Sequence, residues 1–516
     1  MKIIKGIKNF FSKLLCHYKC RNKEETLQRQ VCEDVFTDIP LSTDNITFEF
    51  CTIRNLFDRE YLSLISDELN IPVSKIEGEF HKMTEGLRTD LSCCIEYPYV
   101  DMYYRDTYYN YYAKKHSDYN RYCFRISFFD RDVTYVNFHT IENLSEKFYG
   151  YIVLRPTKKR ATGYSFLSPK AYVDHNFSCC VYKRKASIYG RKLSVFGFPF
   201  CGQDGEMITC AETSLMVMVD YFSHKYSKYR EILPSDIIQL LSKQKTERQL
   251  PSRGLPSELI SHILSTLGLG IRIYYRKNDN GDDAYSEKEF KEWLYAYIES
   301  GLPIQISTKE HSFLIIGKEN KLGTRNVKLV TIDDNKRPYK LIDFNEEILS
   351  FSVPLYEKIY LEVDVIDIKA VQEILEENFQ DINTHIGESG YLLRRFITSS
   401  RSYKNYISKM SNLVSREHFL CKAMPRFIWV YEIIKESDVQ QEIEKTFVSS
   451  VFLFDATEGK ETMNNFIMAK VGDCIILKTT DYSMYKRTIY KKFEGNTETF
   501  TIFADNLKGD YNQWQE

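Results

Sequence analysis

Short runs in which hydrophobic and polar residues alternate dominate the first third of the chain, as expected for strands with one buried face. The alternation predicts four strands, at residues 45–53, 122–129, 134–138 and 150–154. Helical spacing between these runs indicates short helices. We therefore expect a mixed α+β region at the start of the protein.

The pattern changes near residue 196, where a helix-rich stretch begins. Residues 210–226 are apolar on nearly every side, which predicts a helix buried all round. Later periodicities predict helices at 234–242, 256–267 and 286–300 and strands at 271–275, 303–307, 312–317 and 326–332. Helices first and antiparallel strands afterwards indicate an α+β fold, because alternating βαβ units would give a different order.

The last third of the chain also has α+β character. Its patterns predict helices at 371–379 and 439–445 and strands at 426–434, 451–455 and 473–478. Because 516 residues exceed what one core usually serves, we expect several domains. The predicted segments are a basic amphipathic segment at 1–23, an α+β region at 24–195, a central domain at 196–345 and an α+β region at 346–516. With no repeat or low-complexity linker between them, we expect close packing.

The composition is that of an ordinary globular protein, with 43% hydrophobic and 27% charged residues. Lysine and arginine number 70 against 71 acids, so no overall charge points to nucleic acid or to an anionic membrane. The thirteen cysteines have no recurring spacing, which favours a reducing compartment and a cytoplasmic protein. No C-x-x-C pair occurs, so we expect neither a metal nor a cofactor. No run of about 18 apolar residues predicts a membrane-spanning helix.

The N-terminal segment, residues 1–23, has seven basic residues and no acid, with apolar residues at helical spacing. Lysines interrupt the apolar run, so it does not resemble the core of a secretion signal. Two interpretations remain. The segment is either an amphipathic helix that contacts an anionic membrane surface or a plain helix with a solvated basic face.

A second unusual segment, residues 96–122, contains ten tyrosines among basic residues and aspartates. Aromatic rings between basic side chains can stack on single-stranded nucleic acid. The alternative is a tyrosine-rich helix or hairpin that packs its rings against the domain. The acids Asp101, Asp106 and Asp118 favour the second interpretation, so we expect no nucleic-acid partner.

The strongest indication of chemistry is Cys210, which the pattern places at the N-terminus of the predicted buried helix. The positive end of a helix dipole stabilises a thiolate there. Gln203 lies seven residues upstream in a turn-like Gly-Gln-Asp-Gly, where its amide can help the Cys210 backbone N–H to hold an oxyanion.

A candidate base follows 101 residues after Cys210. His311 opens an apolar strand, which suits a base serving the cysteine. The next strand ends in Asp333-Asp334-Asn335, and an acid there can fix the histidine tautomer. Strand alternation does not decide between Asp333 and Asp334. Each residue also has an ordinary explanation, such as a core cysteine or a solvated turn, so the prediction rests on the four positions together.

The order Gln-x6-Cys-Ala-x-Thr-Ser-Leu, Gly-Leu-Pro-Ile before a histidine, and a strand ending in Asp resembles papain-like cysteine peptidases. It is most similar to the bacterial branch that includes the double-glycine-leader peptidases of bacteriocin exporters. The resemblance covers residues 196–345 and implies an oxyanion-hole Gln203, a nucleophilic Cys210, a base His311 and an orienting Asp333. It departs from the plant-type pattern, which has Cys-Gly-Ser-Cys-Trp, and Ala211 replaces a glycine frequent in the bacterial branch.

The resemblance implies a hydrolase that cleaves a peptide or isopeptide bond of a protein or peptide substrate. Two alternatives stay open: an acyltransferase using the same thioester, and a catalytically idle fold that serves as a binding or scaffold protein. Transglutaminases and arylamine acetyltransferases share the order of the triad, but generally with a shorter cysteine-to-histidine separation. No pattern in the sequence indicates an oligomeric state.

Overall fold

The protein is a mixed α+β structure with three antiparallel sheets. The computed structural model describes residues 47–243, 250–252, 254–345, 347–379, 382–410, 415–459, 465–472, 474–478, 485–489 and 500–507. The predicted N-terminal segment 1–23 lies outside these residues. Within them, no helix combines the length and apolar character that crossing a membrane requires.

The first sheet is built from the N-terminal part of the described chain. Its strands are β1 (Thr47–Thr52), β2 (Ser92–Tyr99), β3 (Cys123–Phe129), β4 (Phe148–Leu154), β5 (Tyr164–Leu167), β7 (Tyr182–Ile188) and β8 (Arg191–Cys201). Strand β6 (Phe177–Cys179), which comes between β5 and β7 in the chain, belongs to the second sheet. The spatial order is β1-β2-β3-β4-β5-β8-β7. The long strand β8 crosses the predicted boundary at residue 196 and leads directly to Gln203.

The helices of this part are α1 (Arg59–Leu69), α2 (Val73–Thr84) and α3 (Met102–Asn110). Helix α3 belongs to the tyrosine-rich segment and begins where the Tyr104 backbone N–H donates to Asp101. The rings of Tyr103, Tyr104 and Tyr112 are buried, and Tyr103 stacks on Tyr164 with ring centroids 4.0 Å apart. These tyrosines therefore pack inside the protein, as the second interpretation of the segment predicts.

The predicted strand at residues 134–138 is wrong, because this segment is a turn. The Asn137 side chain accepts from the Thr134 backbone N–H at 2.8 Å and donates to the Asp132 carbonyl oxygen at 2.7 Å. These local side-chain bonds satisfy backbone groups that a strand would leave to a sheet partner. Val136 is 88% exposed, so the alternation here does not mark a buried face.

The second sheet has the order β13-β12-β11-β10-β14-β9, and β6 pairs with β11. Its remaining strands are β9 (Leu269–Tyr275), β10 (Ile304–Ser307), β11 (Ser312–Glu319), β12 (Leu329–Ile332), β13 (Lys340–Ile342) and β14 (Ser350–Tyr356). The helices of this part are α4 (Cys210–Lys225), α5 (Pro234–Ser242), α6 (Ser257–Thr266) and α7 (Glu287–Glu299). Helix α4 is buried on every side from Ala211 to Phe222, as its all-apolar pattern predicts.

The third sheet is a simple antiparallel meander. Its strands are β15 (Tyr391–Ser399), β16 (Phe427–Lys435), β17 (Ser450–Asp455), β18 (Phe466–Val471), β19 (Cys474–Lys478) and β20 (Tyr485–Ile489), with helices α8 (Ile368–Asn378), α9 (Ser400–Ser408) and α10 (Arg416–Cys421). The predicted helix at 439–445 is wrong except for a single 3-10 turn at Ile443–Lys445. The Gln440 backbone N–H donates to the Thr446 hydroxyl instead of a helical carbonyl.

One hydrophobic core continues through all three parts. It includes residues of the first sheet and of α4, and also Trp429 and Tyr431 in β16. A smaller cluster lies on the other side of the third sheet. The Trp429 indole donates to the Leu361 carbonyl oxygen at 2.8 Å within this core. The first and second sheets therefore meet closely enough to share one site.

Candidate active site

Helix α4 begins at Cys210, and the first turn explains why. Thr209 precedes the helix with an extended backbone, and its N–H donates to the Glu212 carboxylate at 3.1 Å, one half of a capping box. Glu212 also accepts from the Ser252 hydroxyl, which ties the loop at residues 250–252 to the start of the helix. Cys210 is therefore held at the positive end of the helix dipole, with its side chain only partly buried.

Gln203 lies in the loop that connects β8 with α4. The Gly202 carbonyl oxygen accepts from the buried Arg155 guanidinium at 2.6 Å. A Cβ atom on Gly202 would come within 2.6 Å of the Thr162 carbonyl oxygen, so only glycine fits this close approach. Beyond Gln203, one carboxylate oxygen of Asp204 accepts from three successive backbone N–H groups, those of residues 206–208. The loop is thus fixed on both sides of Gln203.

His311 lies in the turn between β10 and β11. Its backbone N–H donates to the Thr308 hydroxyl at 3.1 Å, and the Thr308 backbone N–H donates to the His311 carbonyl oxygen at 2.9 Å. The side chain of His311 is 23% exposed, so the ring is accessible from the surface. The turn therefore holds the imidazole at the edge of the second sheet.

The register of β11 against β12 brings the histidine and the acids together. Leu314 lies opposite Ile332, so the residues before Leu314 and after Ile332 meet at the same end of the strand pair. There, His311 Nε2 lies 2.8 Å from Asp333 Oδ1. Asp333 is 3% exposed, and its carboxylate also accepts from the Asn335 backbone N–H at 2.9 Å. These contacts fix both the carboxylate and the imidazole.

The thiol of Cys210 reaches the same imidazole. Burial would lower the pKa of His311, but hydrogen bonds from the ring to Asp333 and to Cys210 raise it to about 10. The charges of Asp333 and Asp334 act in the same direction. Conversely, His311 and Lys336 hold the pKa of Asp333 below its ordinary value despite its burial. Cysteine, imidazole and carboxylate therefore lie next to one another, with a hydrogen bond between the imidazole and the carboxylate of Asp333.

Asp334 has a different role in this geometry. Its nearer carboxylate oxygen is 3.8 Å from His311 Nε2, and both oxygens are buried without a hydrogen bond of ordinary geometry in the described part of the chain. Burial and the negative charge of Asp333 raise the pKa of Asp334, against the lowering effects of His311, Arg160 and Gln203. Asp333, and not Asp334, makes the hydrogen bond to the imidazole.

The structure thus brings together the four residues of the sequence hypothesis. Asp333 hydrogen-bonds to His311, Cys210 is near enough to help raise the pKa of that imidazole, and Gln203 is near enough to Asp334, the alternative acid, to lower its pKa. The rival Cys201 is buried at the end of β8, where burial raises the pKa of its thiol to about 12.

Sequence reasoning missed two polar residues of the site. Asn335 Nδ2 lies 3.1 Å from His311 Nε2, and Arg160 Nη2 donates to Asn335 Oδ1 at 2.5 Å. Arg160 comes from the first sheet, 175 residues before Asn335, so no local pattern could have connected them. The adjacent acids Asp333 and Asp334 were the sequence feature that pointed to the turn after β12 as part of the site.

The acid-histidine group also has the composition of a cation site. Ligand atoms of His311, Asp333 and Asp334 lie within 4.8 Å of one another. Positive side chains are already close, because Lys336 Nζ is 3.4 Å from Asp333 and Arg160 donates to the Asp334 carbonyl oxygen. These cations compensate the carboxylates, so the residues present do not favour a metal ion over the hydrogen-bonded arrangement.

Comparisons with known proteins add no assignment. No family model matches the chain, and no curated protein is significantly similar to it.

Proposed function

We propose that the protein is a papain-like cysteine peptidase that hydrolyses a peptide or isopeptide bond. The observation that supports this most strongly is the series Cys210–His311–Asp333. A thiol at a helix N-terminus lies beside an imidazole whose Nε2 bonds a buried carboxylate. A nucleophile, a base and a group that orients the base are the elements of covalent acyl chemistry.

In the proposed acylation step, the Cys210 thiolate attacks the scissile carbonyl carbon and forms an S–C bond. The negative charge on the carbonyl oxygen is stabilised by the Gln203 amide and the Cys210 backbone N–H. Protonated His311 then gives its proton to the leaving nitrogen as the C–N bond breaks. Asp333 keeps the imidazole oriented throughout, because it accepts from Nε2 and leaves Nδ1 for the sulfur and the substrate.

In the proposed deacylation step, neutral His311 takes a proton from water while the water oxygen attacks the thioester. The S–C bond breaks, the acid product leaves and the imidazolium–thiolate pair is restored. The partial exposure of the His311 ring supports this role, since substrate and water must both reach it. If an amine attacked in place of water, the same site would act as an acyltransferase.

The placement of the site supports the papain-like assignment. The cysteine begins a helix buried on every side, and the histidine and acid come from neighbouring antiparallel strands of one sheet. This is the arrangement that the order of the residues implies. The long β8, which leads from the first sheet to Gln203, suggests that the N-terminal region contributes to the site as well.

The test is site-selective alkylation of the full chain with iodoacetamide near pH 7, read by peptide mass spectrometry. We expect Cys210 to react ahead of the other cysteines, and His311→Ala to slow its reaction by about 100-fold, the lower part of the range for general-base catalysis. His224→Ala is the matched control, because His224 lies in the last turn of the same helix. Slow labelling of Cys210 that His311→Ala leaves unchanged would contradict the proposal and favour an idle binding domain.

A further inference from the structure

The turn that follows β12 is held by a loop of the first sheet. Residues 155–163 connect β4 with β5, and the Arg155 backbone N–H donates to the Ala161 carbonyl oxygen at 2.7 Å. At the tip of this loop, Arg160 Nη1 donates to the Asp334 carbonyl oxygen at 3.1 Å and Nη2 donates to Asn335 Oδ1 at 2.5 Å. One guanidinium therefore bonds two successive residues of the turn that carries the acids.

A second cation supports the same turn. Lys82 Nζ, on α2, lies 3.4 Å from the Asp334 carbonyl oxygen and 2.6 Å from the Glu79 carboxylate. Glu79 also accepts from the Thr162 hydroxyl, at the end of the Arg160 loop. Burial would raise the pKa of Glu79, but Lys82, Thr162 and Arg160 lower it, so the ionised carboxylate is favoured beside the two cations. Its charge offsets part of theirs, which lowers the cost of keeping the group partly buried.

Arg160 also decides which way the Asn335 amide points. A guanidinium has only donors, so the amide oxygen of Asn335 must face Arg160. The amide nitrogen then faces the imidazole, 3.1 Å from Nε2 and 3.4 Å from Nδ1 of His311. Without Arg160, the amide could turn its oxygen to the ring, and the turn would lose two of the bonds that hold it.

We infer that Arg160 is a positioning residue of the active site: through Asn335 and the Asp334 carbonyl oxygen, it fixes the turn that presents Asp333 to His311. This inference rests on the proposed function. It makes the first sheet a part of the site, so that the central segment 196–345 is incomplete without residues 155–162. Arg160 does not touch the reacting atoms and acts only through its neighbours.

The test compares Cys210 alkylation rates in full-length variants. We expect Arg160→Ala to slow labelling by about 10- to 100-fold, because small displacements of a base have effects of this size. Arg160→Lys, which keeps one donor and the charge, should recover most of the rate. Asn335→Ala leaves the Arg160 bond to the Asp334 carbonyl oxygen, so it should slow labelling by no more than Arg160→Ala does. The double variant should fall within about twofold of Arg160→Ala, since the contact that Asn335→Ala removes is already lost there.

Arg191→Ala is the matched control. Arg191 also clamps a loop, donating to the carbonyl oxygens of His139 and Ile141 at 2.5 and 2.7 Å. It begins β8, whereas Gln203 follows the other end of that 11-residue strand, about 30 Å away. We expect this variant to label at the wild-type rate. Thermal unfolding of every variant distinguishes loss of fold from loss of positioning.

Three outcomes would overturn the inference: a wild-type rate in Arg160→Ala, multiplicative losses in the double variant, or equal losses in Arg191→Ala. Should Arg160→Ala fail to fold, Asn335→Ala still decides, because Asn335 is exposed and its side chain is not part of the core. A Cys210 that labels slowly and independently of His311 would instead remove the proposed function itself. The two failures are therefore distinguishable.

Discussion

The two ends of helix α4 carry nearly the same set of side chains and use them differently. Each end brings one histidine and two carboxylates within 4.8 Å, namely His311, Asp333 and Asp334 near the N-terminus and His224, Asp220 and Glu231 near the C-terminus. The helix has 16 residues and is about 24 Å long, so the two groups lie near its opposite ends. Composition alone therefore does not distinguish them.

At the C-terminal end, Asp220 and His224 are tied to partners that stay in place. Asp220 accepts from the Tyr164 and Tyr182 hydroxyls and, at 3.0 Å, from Arg184. Burial would raise the pKa of Asp220, but His224 and Arg184 hold it at about 2. The ring of His224 stacks on Tyr182 with centroids 4.3 Å apart. This group joins β5, β7 and α4, and we interpret it as structural.

At the N-terminal end, the histidine lies beside a thiol instead of a tyrosine ring, and Asp334 has no hydrogen bond of ordinary geometry with any residue that the structure describes. The difference lies in the counter-ion. At the C-terminal end, Asp220 is paired with Arg184, which cannot give up its proton, as well as with His224. At the N-terminal end, Asp333 is paired with His311, which can give up its proton and is the imidazole beside the candidate nucleophile. We therefore propose a functional role for the group around His311 and a structural role for the group around His224.

The largest expected contrast is in stability. Asp220→Asn leaves the buried charge of Arg184, whose side chain is 14% exposed, without its main partner. We expect a loss of about 3–5 kcal/mol in the free energy of unfolding, measured by urea denaturation. Asp333→Asn should lose no more than about half as much, because His311 can deprotonate. Equal losses would mean that the two ends of α4 are both structural.

A smaller contrast separates the two acids beside His311. In a Cys210→Ala background, NMR titration of the His311 ring should show that Asp333→Asn lowers its pKa by about 2, and Asp334→Asn by about 1. The sign follows because each change removes a negative charge that favours the imidazolium. Asp333 has the larger effect since it adds a hydrogen bond at 2.8 Å to the charge interaction. The His224 resonance is the internal control and should not move in either variant.

The reverse order, with Asp334→Asn having the larger effect, would make Asp334 the orienting acid. It would also weaken the inference that Arg160 holds the turn so that Asp333 is presented to His311. No change in either variant would mean that the raised pKa of His311 has another origin.

A feature of the fold or of the site can be predicted from the sequence when the residues that produce it are close together in the chain. The bounds predicted for the helix at 234–242 match α5, because proline at its first position and apolar spacing are local features. The four site residues were found because each lies at the end of a helix or strand with its own pattern. The segment 134–138 has the alternating pattern of a strand. The Asn137 hydrogen bonds that make it a turn leave no trace in that pattern, so the sequence predicts a strand there. Arg160 was inaccessible, since only the packing of two sheets brings it to Asn335.

The smallest expected effect concerns Glu212. Substitutions of this residue can separate its contribution to the stability of the protein from its effect on the reactivity of Cys210. Glu212→Gln keeps an acceptor for the Thr209 backbone N–H but removes a negative charge one turn from the Cys210 thiolate. A charge in the first turn is worth about 0.3–1 kcal/mol, which corresponds to roughly two- to fivefold. We expect Cys210 alkylation to accelerate by that factor while the free energy of unfolding falls by no more than about 1 kcal/mol.

Glu212→Ala provides the complementary measurement, because it removes the charge and the capping acceptor together. Its loss of stability should exceed that of Glu212→Gln, since the Thr209 N–H and the Ser252 hydroxyl both lose their acceptor. If both variants label more slowly than wild type, Glu212 serves to orient Cys210, and the start of α4 is then selected for geometry. If only the alanine variant slows, the carboxylate opposes the thiolate electrostatically while its hydrogen bonds hold the cysteine in place. In that case Glu212 stabilises the N-terminus of α4 and lowers the reactivity of Cys210. We interpret the group around Asp220 at the other end as structural, so we expect no such conflict there.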